Sequence, residues 1–427
     1  MRLDPQAFSA LARIARDSRH AGGGIHRRRT PNLSANPFSR FWQRLRPPAF
    51  RAPGADEEAR LHFDRANALS GEQRYAEAER EFRDVVALRP DHAEAHYRLG
   101  VTLQDQHSLD EAAGSYRNAI AVRPDHIQAH NNLGVVLQLQ EKFEEGVASF
   151  RRAVELHPDF DEPYLNLGRL QAALGDSKGA AASYRLAIEH GIKPAMFGHL
   201  LNAIEGVTTD RAPVEFTRAA FDHFADAFDD RLLTELDYQI PQILGQRVCV
   251  RFPSGGMRVL DLGCGTGLCA PHVRGHAARI TGVDLSAAML AKARTRAAYD
   301  QLVEADIIDF LAAAPASGYD AVLAADVFIY LGRLDDIFRQ VSRILAAKGM
   351  FAFSIEVAAP GAAGSGTRDF ELQASGHYAQ SLSYIARLAA TNSLDVAEAF
   401  AANIRSGQGH QANGHVFVLT TSGATQA

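Results

Sequence analysis

The stretch Val259–Leu268, with the sequence VLDLGCGTGL, places an apolar run, an acid and three alternating glycines in succession. The apolar run predicts a strand, and the residues that follow are compatible with a helix. Glycines allow a tight backbone turn and leave room for a bulky ligand, because they carry no β-carbon. Open α/β folds bind ligands at the carboxyl ends of their parallel strands. The stretch therefore predicts a ligand-binding turn at the edge of a parallel sheet.

Two further predicted strands also lead to acids. The run 279–283 leads to Asp284, and the run 301–305 leads to Asp306. An acid at the end of the second strand can accept hydrogen bonds from both hydroxyls of a ribose. Strand interiors disfavour Asp, so acids at three successive strand ends are hard to explain by core packing.

A nicotinamide or flavin dinucleotide fold is the competing interpretation. It expects the spacing G-x-G-x-x-G, with a helix N-terminus aimed at a pyrophosphate. Here the spacing is G-x-G-x-G and Asp261 stands directly before it. A carboxylate there repels a pyrophosphate and suits an ammonium group. These residues resemble motif I of the class I S-adenosylmethionine-dependent methyltransferases.

The resemblance implies a doubly wound, seven-stranded, Rossmann-like α/β sheet with an antiparallel last strand, and S-adenosylmethionine as the cofactor. It assigns Asp261 to the methionine ammonium, Asp284 to the ribose and Asp306 to the adenine. The complete set of expected cofactor-binding residues is Asp261, Gly263, Cys264, Gly265, Gly267, Asp284, Leu285, Asp306, Ile307, Asp326, Phe224 and Phe228.

The chain beyond residue 306 alternates between predicted strands and helices, as a doubly wound sheet requires. We expect strands over 319–326 and 349–357, helices over 334–346 and 378–391, and a closing hairpin formed by 395–404 and 415–420.

A predicted helix that begins at Pro213 carries Phe221, Phe224 and Phe228 on one face. The segment 221–233 is similar to the N-terminal lid of small-molecule methyltransferases, where a repeated aromatic-Asp pair lies over the cofactor. An aromatic stripe at helical spacing is equally compatible with a core, so both interpretations stay open.

Residues 56–193 repeat with a period of 34. Pro90, Pro124 and Pro158 have this spacing, and Gly100 and Gly134 repeat it. Such a period, with small residues and aromatics at fixed places, resembles tetratricopeptide repeats, here about four of them in an α-helical solenoid. Together with the later motifs, the chain resembles a group of predicted methyltransferases fused to such repeats.

Arg98, Asn132 and Asn166 occupy one position in successive repeats. In some tetratricopeptide proteins an asparagine there holds the backbone of a bound peptide, because its amide both donates and accepts hydrogen bonds. These side chains could instead only cap or solvate the inner helices. The resemblance implies a protein or peptide partner on the concave face.

Three segments follow from these patterns. Residues 1–55 form a basic tail, rich in Arg, Pro, Ser and Gly, that we expect to be disordered. Residues 56–193 form the repeat array, and residues 194–427 contain the linker, the lid helix and the methyltransferase domain.

Composition narrows the function. A net charge of -5 gives no argument for nucleic acid or a membrane surface. Three cysteines, at 249, 264 and 269, suggest neither a disulfide framework nor a zinc site, and we expect no metal and a reducing, cytoplasmic setting. No apolar run reaches the length of a membrane span.

Two motifs of DNA methyltransferases are missing from the sequence. The run 326–329 lacks the Pro-Pro pair of amino-methylating DNA enzymes, and the Pro-Cys pair that cytosine-C5 enzymes need does not occur. We therefore expect no DNA substrate.

Asp326, Tyr330 and His377 are the candidate catalytic residues. Asp326 could accept a proton or only cap a helix or loop, Tyr330 could line the acceptor pocket or only pack, and His377 could be a general base or a surface histidine. The group that this chain resembles favours an Arg before the tyrosine and a His two residues after it, whereas this chain has His377 before Tyr378 and Gln380 after it. That departure puts a shared acceptor or base in doubt.

The sequence thus predicts a methyltransferase acting on a small-molecule or protein-bound acceptor, with repeats that recruit a partner. Two alternatives remain open. One is a scaffold with a catalytically degenerate cofactor domain, and the other is a protein methyltransferase whose substrate is captured by the repeats.

Overall fold

The structure is a computed structural model that describes residues 54–225, 228–230, 232–233, 238–358, 368–407 and 410–421. The described chain divides into two compact units, one up to Asp176 and one from Ser177. Residues 1–53 of the predicted basic tail and the glycine-rich residues 360–366 lie outside the described residues.

The first unit is helical over its described length. Its helices are α1 (Ala55–Gly71), α2 (Tyr75–Leu88), α3 (Ala93–Asp105), α4 (Leu109–Val122), α5 (Ile127–Leu139), α6 (Phe143–Leu156) and α7 (Asp161–Ala173).

The recurring glycines of this unit meet aromatic rings. A β-carbon built on Gly100 would lie 2.6 Å from Cε1 of Tyr116, and one on Gly134 would lie 2.6 Å from Cε1 of Phe150. Both rings are fully buried. The helices of a pair can therefore approach closely only where the side chain is absent, which explains the glycine and aromatic at a fixed interval.

Each recurring proline follows the second helix of a repeat. Its carbonyl accepts a hydrogen bond from a side chain of the next helix. His96 donates from Nε2 to the Pro90 carbonyl at 3.0 Å, and His130 repeats this bond to Pro124 at 2.9 Å. In the following repeat the Tyr164 hydroxyl donates to its own preceding proline carbonyl at 2.9 Å. The same position thus fixes each turn between repeats.

The second unit begins with helices and continues as a sheet flanked by helices. The first helices are α8 (Ser177–Glu189), α9 (Pro194–Glu205), α10 (Val214–Phe224), the single turn α11 (Phe228–Asp230) and α12 (Ile240–Arg251). The central elements are β1 (Met257–Leu262), α13 (Ala270–Val273), β2 (Ala277–Asp284), α14 (Ala287–Thr295), β3 (Gln301–Glu304), α15 (Ile307–Ala313), β4 (Tyr319–Ala324), α16 (Asp335–Ile344) and β5 (Leu345–Glu356). The last elements are β6 (Phe370–Leu372), β7 (Tyr378–Gln380), α17 (Leu382–Thr391), β8 (Leu394–Gly407) and β9 (His410–Thr421).

Seven strands of the described residues form one sheet in the order β3-β2-β1-β4-β5-β9-β8. The first five strands in this order are parallel, and β9 pairs antiparallel with both β5 and β8. The reversal of strand order at β1 and β4 is the switch point at which open α/β sheets bind ligands. The predicted doubly wound sheet with an antiparallel end is confirmed.

Successive residues of the central strands enter different cores. Leu260 and Val322 belong to a cluster with α16, whereas Val259 and Leu323 belong to a cluster with α12. This alternation is the period of two that a sheet covered on both faces requires. The carboxyl edge of the sheet is therefore left as the place for polar side chains.

Two predicted helix boundaries were wrong. The helix expected over 378–391 begins only at Leu382, because Tyr378–Gln380 is a buried strand paired with β6. Ser381 separates the two elements and caps the helix by accepting from the Tyr384 amide at 3.2 Å. The helix expected over 334–346 ends at Ile344, where β5 begins earlier than predicted.

Two further features concern metals and membranes. His62, Glu81 and Asp84 offer ligand atoms within 4.8 Å of one another, a grouping that the sequence did not suggest. Nδ1 of His62 lies 2.6 Å from Oε2 of Glu81, and Arg65 donates to Oε1 of the same carboxylate at 3.1 Å. Within the described ranges, no helix has both the length and the apolar character that a membrane crossing needs.

Candidate active site

Carboxylates follow the parallel strands at the carboxyl edge of the sheet. They are Asp261 in β1, Asp284 at the end of β2, Asp306 after β3, Asp326 after β4 and Glu356 at the end of β5. Because these strands are parallel, their carboxyl ends share one edge, and the acids gather there. Glu356 lies at the end of the fifth strand, the region from which the sequence predicts further residues of the acceptor pocket.

The glycine turn after β1 has the left-handed backbone that its sequence predicts. Gly263, Gly265 and Gly267 have φ values of +61°, +54° and +89°. A β-carbon on the first or third of them would collide with a neighbouring side chain, but one on Gly265 would meet only Cε1 of Phe228, at 3.9 Å. The middle glycine therefore forms an open cradle of the kind a bound cofactor needs.

Asp284 joins the cradle to the end of β2. Its Oδ2 accepts from the Gly265 amide at 2.8 Å, and its Oδ1 accepts from the Ser286 amide at 2.9 Å. Burial raises the pKa of Asp284, while these backbone donors oppose the rise. A carboxylate offers about four acceptor sites, so Asp284 keeps capacity for a further donor beside its backbone partners.

Asp261 lies behind the turn, with only 1% of its surface exposed. The Tyr299 hydroxyl donates to its Oδ2 at 2.6 Å. Burial, with a smaller contribution from the Asp284 charge, raises the pKa of Asp261 to about 7. The predicted ammonium ligand is thus a buried carboxyl group next to the cradle.

The other predicted cofactor residues lie in the same loops. Cys264 is buried, and its amide donates to the Val283 carbonyl at 3.0 Å. Leu285 and Ile307 are partly buried next to the acids that precede them. These positions are consistent with walls of a cofactor cleft.

Asp306 has partners on two sides. It caps α15 by accepting from the Ile308 amide at 2.8 Å, and it accepts from Nη2 of Arg211 at 2.5 Å. Arg211 comes from residues 207–213, which we call the strap. Sequence reasoning missed this residue, since nothing near it in the chain indicates its partner.

The strap pairs with the loop after β4. The Ala212 amide donates to the Tyr330 carbonyl at 3.0 Å, and the Gly332 amide donates to the Asp210 carbonyl at 2.9 Å. Arg211 itself forms an isolated antiparallel bridge with Leu331. Tyr330 is therefore held from outside the sheet.

The strap also holds the β6–β7 hairpin. The hydroxyl groups of Thr209 and Tyr378 lie 2.5 Å apart, and the Leu372 amide donates to the Thr208 hydroxyl at 3.2 Å. The hairpin and the loop after β4 are thus fixed by one segment.

The segment 221–233, predicted as a lid or as part of a core, is tied through its aspartates to the glycine turn and to the loop after β2. Asp222 accepts from the Ser286 hydroxyl at 2.5 Å. Asp229 accepts from the Thr266 hydroxyl and from Arg296. The doubled Phe-Asp pattern was the sequence signal for these contacts, although only its phenylalanines were assigned a role.

The phenylalanines of the segment 221–233 make different contacts. Phe228 faces the cradle at Gly265, as described above, and Phe221 packs edge-on against Tyr330 with ring centroids 5.2 Å apart. Phe221 and Phe228 also meet each other, at 6.1 Å. The side chain of Phe224 lies outside what the structure describes.

Two of the three candidate catalytic residues are brought together. The Tyr330 and His377 rings meet edge-on with centroids 5.6 Å apart. Nδ1 of His377 lies 3.5 Å from Oε1 of Glu356. His377 therefore has a carboxylate on its Nδ1 side and the Tyr330 ring against its face or edge.

Asp326 occupies the neighbouring strand end in a strained backbone. Its φ is +59°, a value that residues other than glycine adopt rarely, and its amide donates to the Ser354 hydroxyl at 2.8 Å. Strained positions of this kind cluster at functional sites. Asp326 follows β4, so it lies beside the switch point between β1 and β4.

Gln380, which departs from the pattern of relatives, is a structural residue. It is fully buried, and its Nε2 donates to the carbonyls of Phe328 at 3.0 Å and Leu331 at 2.7 Å. The side chain therefore closes the loop that carries Tyr330.

The candidate peptide-binding residues of the repeats differ in exposure. Asn132 and Asn166 are buried, and Asn166 donates to Oδ1 of Asn131 at 2.9 Å. Arg98 is about half exposed and donates from Nε to Glu94 at 2.9 Å. His126 and Arg98 together lower the pKa of Glu94 to about 2.

Comparison with known families agrees with both units. Residues 260–353 match the family model described as a methyltransferase domain. Residues 63–113, 97–159 and 137–196 match the tetratricopeptide repeat.

Two curated relatives each align with less than a quarter of this chain. A malonyl-[acyl-carrier protein] O-methyltransferase of Enterobacter lignolyticus is 37% identical over 97 residues, which are 23% of this chain and 38% of that protein. A trans-aconitate 2-methyltransferase of Escherichia fergusonii is 38% identical over 96 residues, 22% of this chain and 37% of that protein. The chain thus spans little more than a third of the length of either relative.

Solved structures with detectable similarity include magnesium protoporphyrin IX methyltransferase of Synechocystis with bound SAH. It has 17% identity and a TM-score of 0.36, with 49% of this chain and 99% of that chain covered. The two family matches and the observed strand order show that the chain carries tetratricopeptide repeats followed by a methyltransferase domain of the S-adenosylmethionine-dependent class.

Proposed function

We propose that the protein transfers a methyl group from S-adenosylmethionine to an acceptor that must lose a proton, such as a hydroxyl or an amine, on a small molecule or a protein-bound group. The observation that carries this proposal is the His377–Glu356 pair beside Tyr330. A carboxylate acceptor is already ionised near neutral pH and needs no such base.

The cofactor site is proposed from the fit of the residues present. The open Gly265 receives the bulk of the cofactor, Asp284 accepts the ribose hydroxyls, and Asp306 with Ile307 borders the adenine. Asp261 supplies a buried acid near the ammonium, and Phe228 covers the cradle from the lid. The bound cofactor supplies an electrophilic methyl group on a sulfonium, and transfer is an in-line displacement.

The chain then has to orient the acceptor and take its proton. Glu356 faces Nδ1 of His377, which favours the tautomer with a lone pair on Nε2. In the proposed step, the acceptor atom forms its bond to the methyl carbon as the sulfur–carbon bond breaks. The proton of the acceptor passes to Nε2 of His377. Tyr330 and Phe221 form an aromatic wall, and Asp326 lies at the adjacent strand end as a hydrogen-bond partner for the acceptor.

The test is a pH–rate profile of methyl transfer from labelled cofactor to the small-molecule fraction of a cell lysate, with wild type and His377→Gln. Loss of a general base should lower the rate by about 10²–10⁴-fold at neutral pH. Binding of S-adenosylhomocysteine should stay within about twofold, because His377 is not among the proposed cofactor residues. The rate of methyl transfer by Glu356→Gln should lie between the rates of wild type and His377→Gln.

A different outcome of the pH–rate experiment would indicate another class of acceptor. The malonyl and aconitate names of the relatives denote carboxylic acids. If His377→Gln keeps its activity and the wild-type rate does not fall in acid, a carboxylate acceptor replaces the hydroxyl or amine. Retained cofactor binding with no transfer to any fraction would support the scaffold alternative.

We also propose that the repeats recruit a protein partner, in a reducing cytoplasmic setting. The family match supports the repeats, and the exposed Arg98 is the contact that is accessible without rearrangement. For the two asparagines to hold the backbone of a bound peptide as well, Asn132 and Asn166 would have to leave their buried positions. Arg98→Glu should weaken capture of the partner, with S-adenosylhomocysteine binding unchanged. If the partner is also the methylated substrate, the same variant should lose its labelling.

A further inference from the structure

Tyr299 lies between α14 and β3, outside the residues that the sequence motifs indicate. Its hydroxyl donates to Oδ2 of Asp261 at 2.6 Å, so it binds the acid that precedes the glycine turn. The two residues are separated by 38 positions in the chain. Asp261 is almost completely buried, and this hydrogen bond reduces the cost of placing a carboxylate there.

The ring of Tyr299 supports the turn from behind. A β-carbon on Gly267 would lie 2.8 Å from its Cε2, and a β-carbon on Gly282 would lie 2.7 Å from its Cε1. Gly282 stands inside β2, where glycine ordinarily weakens a strand. The close approach of this ring therefore requires glycine at both positions. One of them, Gly267, is the last glycine of the turn after β1.

We propose that Tyr299 is a positioning residue for the cofactor, which holds the Asp261 carboxylate as a buried charge behind the glycine turn and thereby sets how tightly the ammonium end of the cofactor binds. This inference rests on the proposed cofactor site. A charge in a poorly solvated position acts more strongly on a nearby ammonium than it does in water.

The groups that face Asp261 determine the sign of its pH dependence. They are the Tyr299 hydroxyl, the Asp284 carboxylate and the thiols of Cys264 and Cys269. Burial raises the pKa of Asp261 to about 7, the Asp284 charge adds to the rise, and the Tyr299 hydrogen bond opposes it. Asp261 therefore gains a proton as the pH falls through this region, and the attraction for an ammonium is lost.

The test is calorimetric titration of S-adenosylhomocysteine into the full chain from about pH 5.5 to pH 8.5, around the Asp261 midpoint. Wild type should bind more weakly in acid. Tyr299→Phe keeps the ring and removes the donor, so the midpoint should move to higher pH and affinity at pH 7 should fall by roughly threefold to tenfold. Asp261→Asn should bind with little dependence on pH.

The double variant Tyr299→Phe/Asp261→Asn separates the hydroxyl from the ring. It should bind as Asp261→Asn does, because the hydroxyl acts through the carboxylate. An unchanged midpoint in Tyr299→Phe overturns the inference, as does a wild-type pH dependence in Asp261→Asn. Either result leaves the proposed function intact. Failure of wild type to bind at any pH would instead remove the proposed cofactor site, and this inference with it.

Discussion

Arg211 and Asp306 form an ion pair, with Nη2 of the guanidinium 2.5 Å from Oδ2 of the carboxylate. The backbone of Arg211 meanwhile pairs with Leu331, in the loop that carries Tyr330. One residue of the strap therefore contacts the acid proposed for the adenine and the loop proposed for the acceptor. The proposed cofactor site and the proposed acceptor site are thus joined by a segment that precedes the sheet in the chain.

Replacing Arg211 with Ala should weaken cofactor binding. The backbone contacts of the strap remain, but Asp306 loses the cation that orients it. Because the Arg211 side chain is about one-third exposed, the loss should be modest, about threefold to fivefold in the Kd of S-adenosylhomocysteine. Arg333→Ala is the matched control, since it breaks the exposed pair with Asp210 in the same strap. Equal losses in the two variants would refute a specific role for Asp306.

Replacing Gly265 with Ala should block the cradle without preventing folding. The added β-carbon would meet only Phe228, at an ordinary contact distance of 3.9 Å, but it would occupy the space proposed for the cofactor. Affinity for S-adenosylhomocysteine should fall by about tenfold or more, equivalent to at least about 1.4 kcal/mol.

The control for Gly265 is Gly206, which ends α9 with φ +70° and has open space around it. A side chain in the left-handed region costs roughly 1–2 kcal/mol at either position. Both alanine variants should therefore lower the melting temperature to a similar degree. Only the Gly265 variant should lose the ligand, and comparable binding by both variants would contradict the cradle.

The motifs near the glycine turn were predictable because each is local. An apolar run that ends in an acid indicates a strand end, and the strand order then gathers Asp261, Asp284 and Asp306 at one edge. The 34-residue period is local in the same sense, since each glycine and its aromatic partner recur 16 residues apart.

The supporting contacts could not be predicted, because their partners are distant in the chain. Asp229 binds Thr266 and Arg296, which are 37 and 67 residues away. The strand at Tyr378–Gln380 was missed for a related reason. Its apolar residues suit a helix start as well as a strand, and only pairing with β6 decides between them.

Replacing Asp229 with Asn should loosen the lid. The variant removes the charge that faces Arg296 and keeps the size of the side chain. Phe228, the residue directly before Asp229, should then cover Gly265 less persistently. The dissociation rate of S-adenosylhomocysteine, measured by stopped flow, should rise severalfold while the association rate changes little. Glu398→Gln breaks a comparable pair with Arg247 away from the segment 221–233 and should leave both rates unchanged. A slower association with unchanged dissociation would contradict the lid role.

Replacing Asp261 with Asn should stabilise the methyltransferase unit, and the gain should depend on pH. The pKa of Asp261 is raised from 3.8 to about 7 in the folded protein, so the folded state holds its proton more tightly than the unfolded state does. The stability that this group contributes is present in acid and is lost as the pH rises towards 7. An asparagine can still accept from Tyr299 and has no proton to lose. The difference between variant and wild type in the free energy of unfolding should therefore grow by about 1.4 kcal/mol for each pH unit from 4 to 7, then level off.

Denaturant titrations at pH 5, 6, 7 and 8, around the midpoint expected for Asp261, would measure this difference. Asp320→Asn is a control of opposite sign. Its hydrogen bonds to Arg258 lower the pKa of Asp320, so this carboxylate stabilises the fold at neutral pH and loses that contribution in acid. Asp320→Asn should therefore be less stable than wild type at pH 7, and the two proteins should converge as the pH falls. A pH-independent difference for Asp261→Asn would show that Asp261 does not carry the raised pKa, and the pH dependence expected for cofactor binding would fail for the same reason.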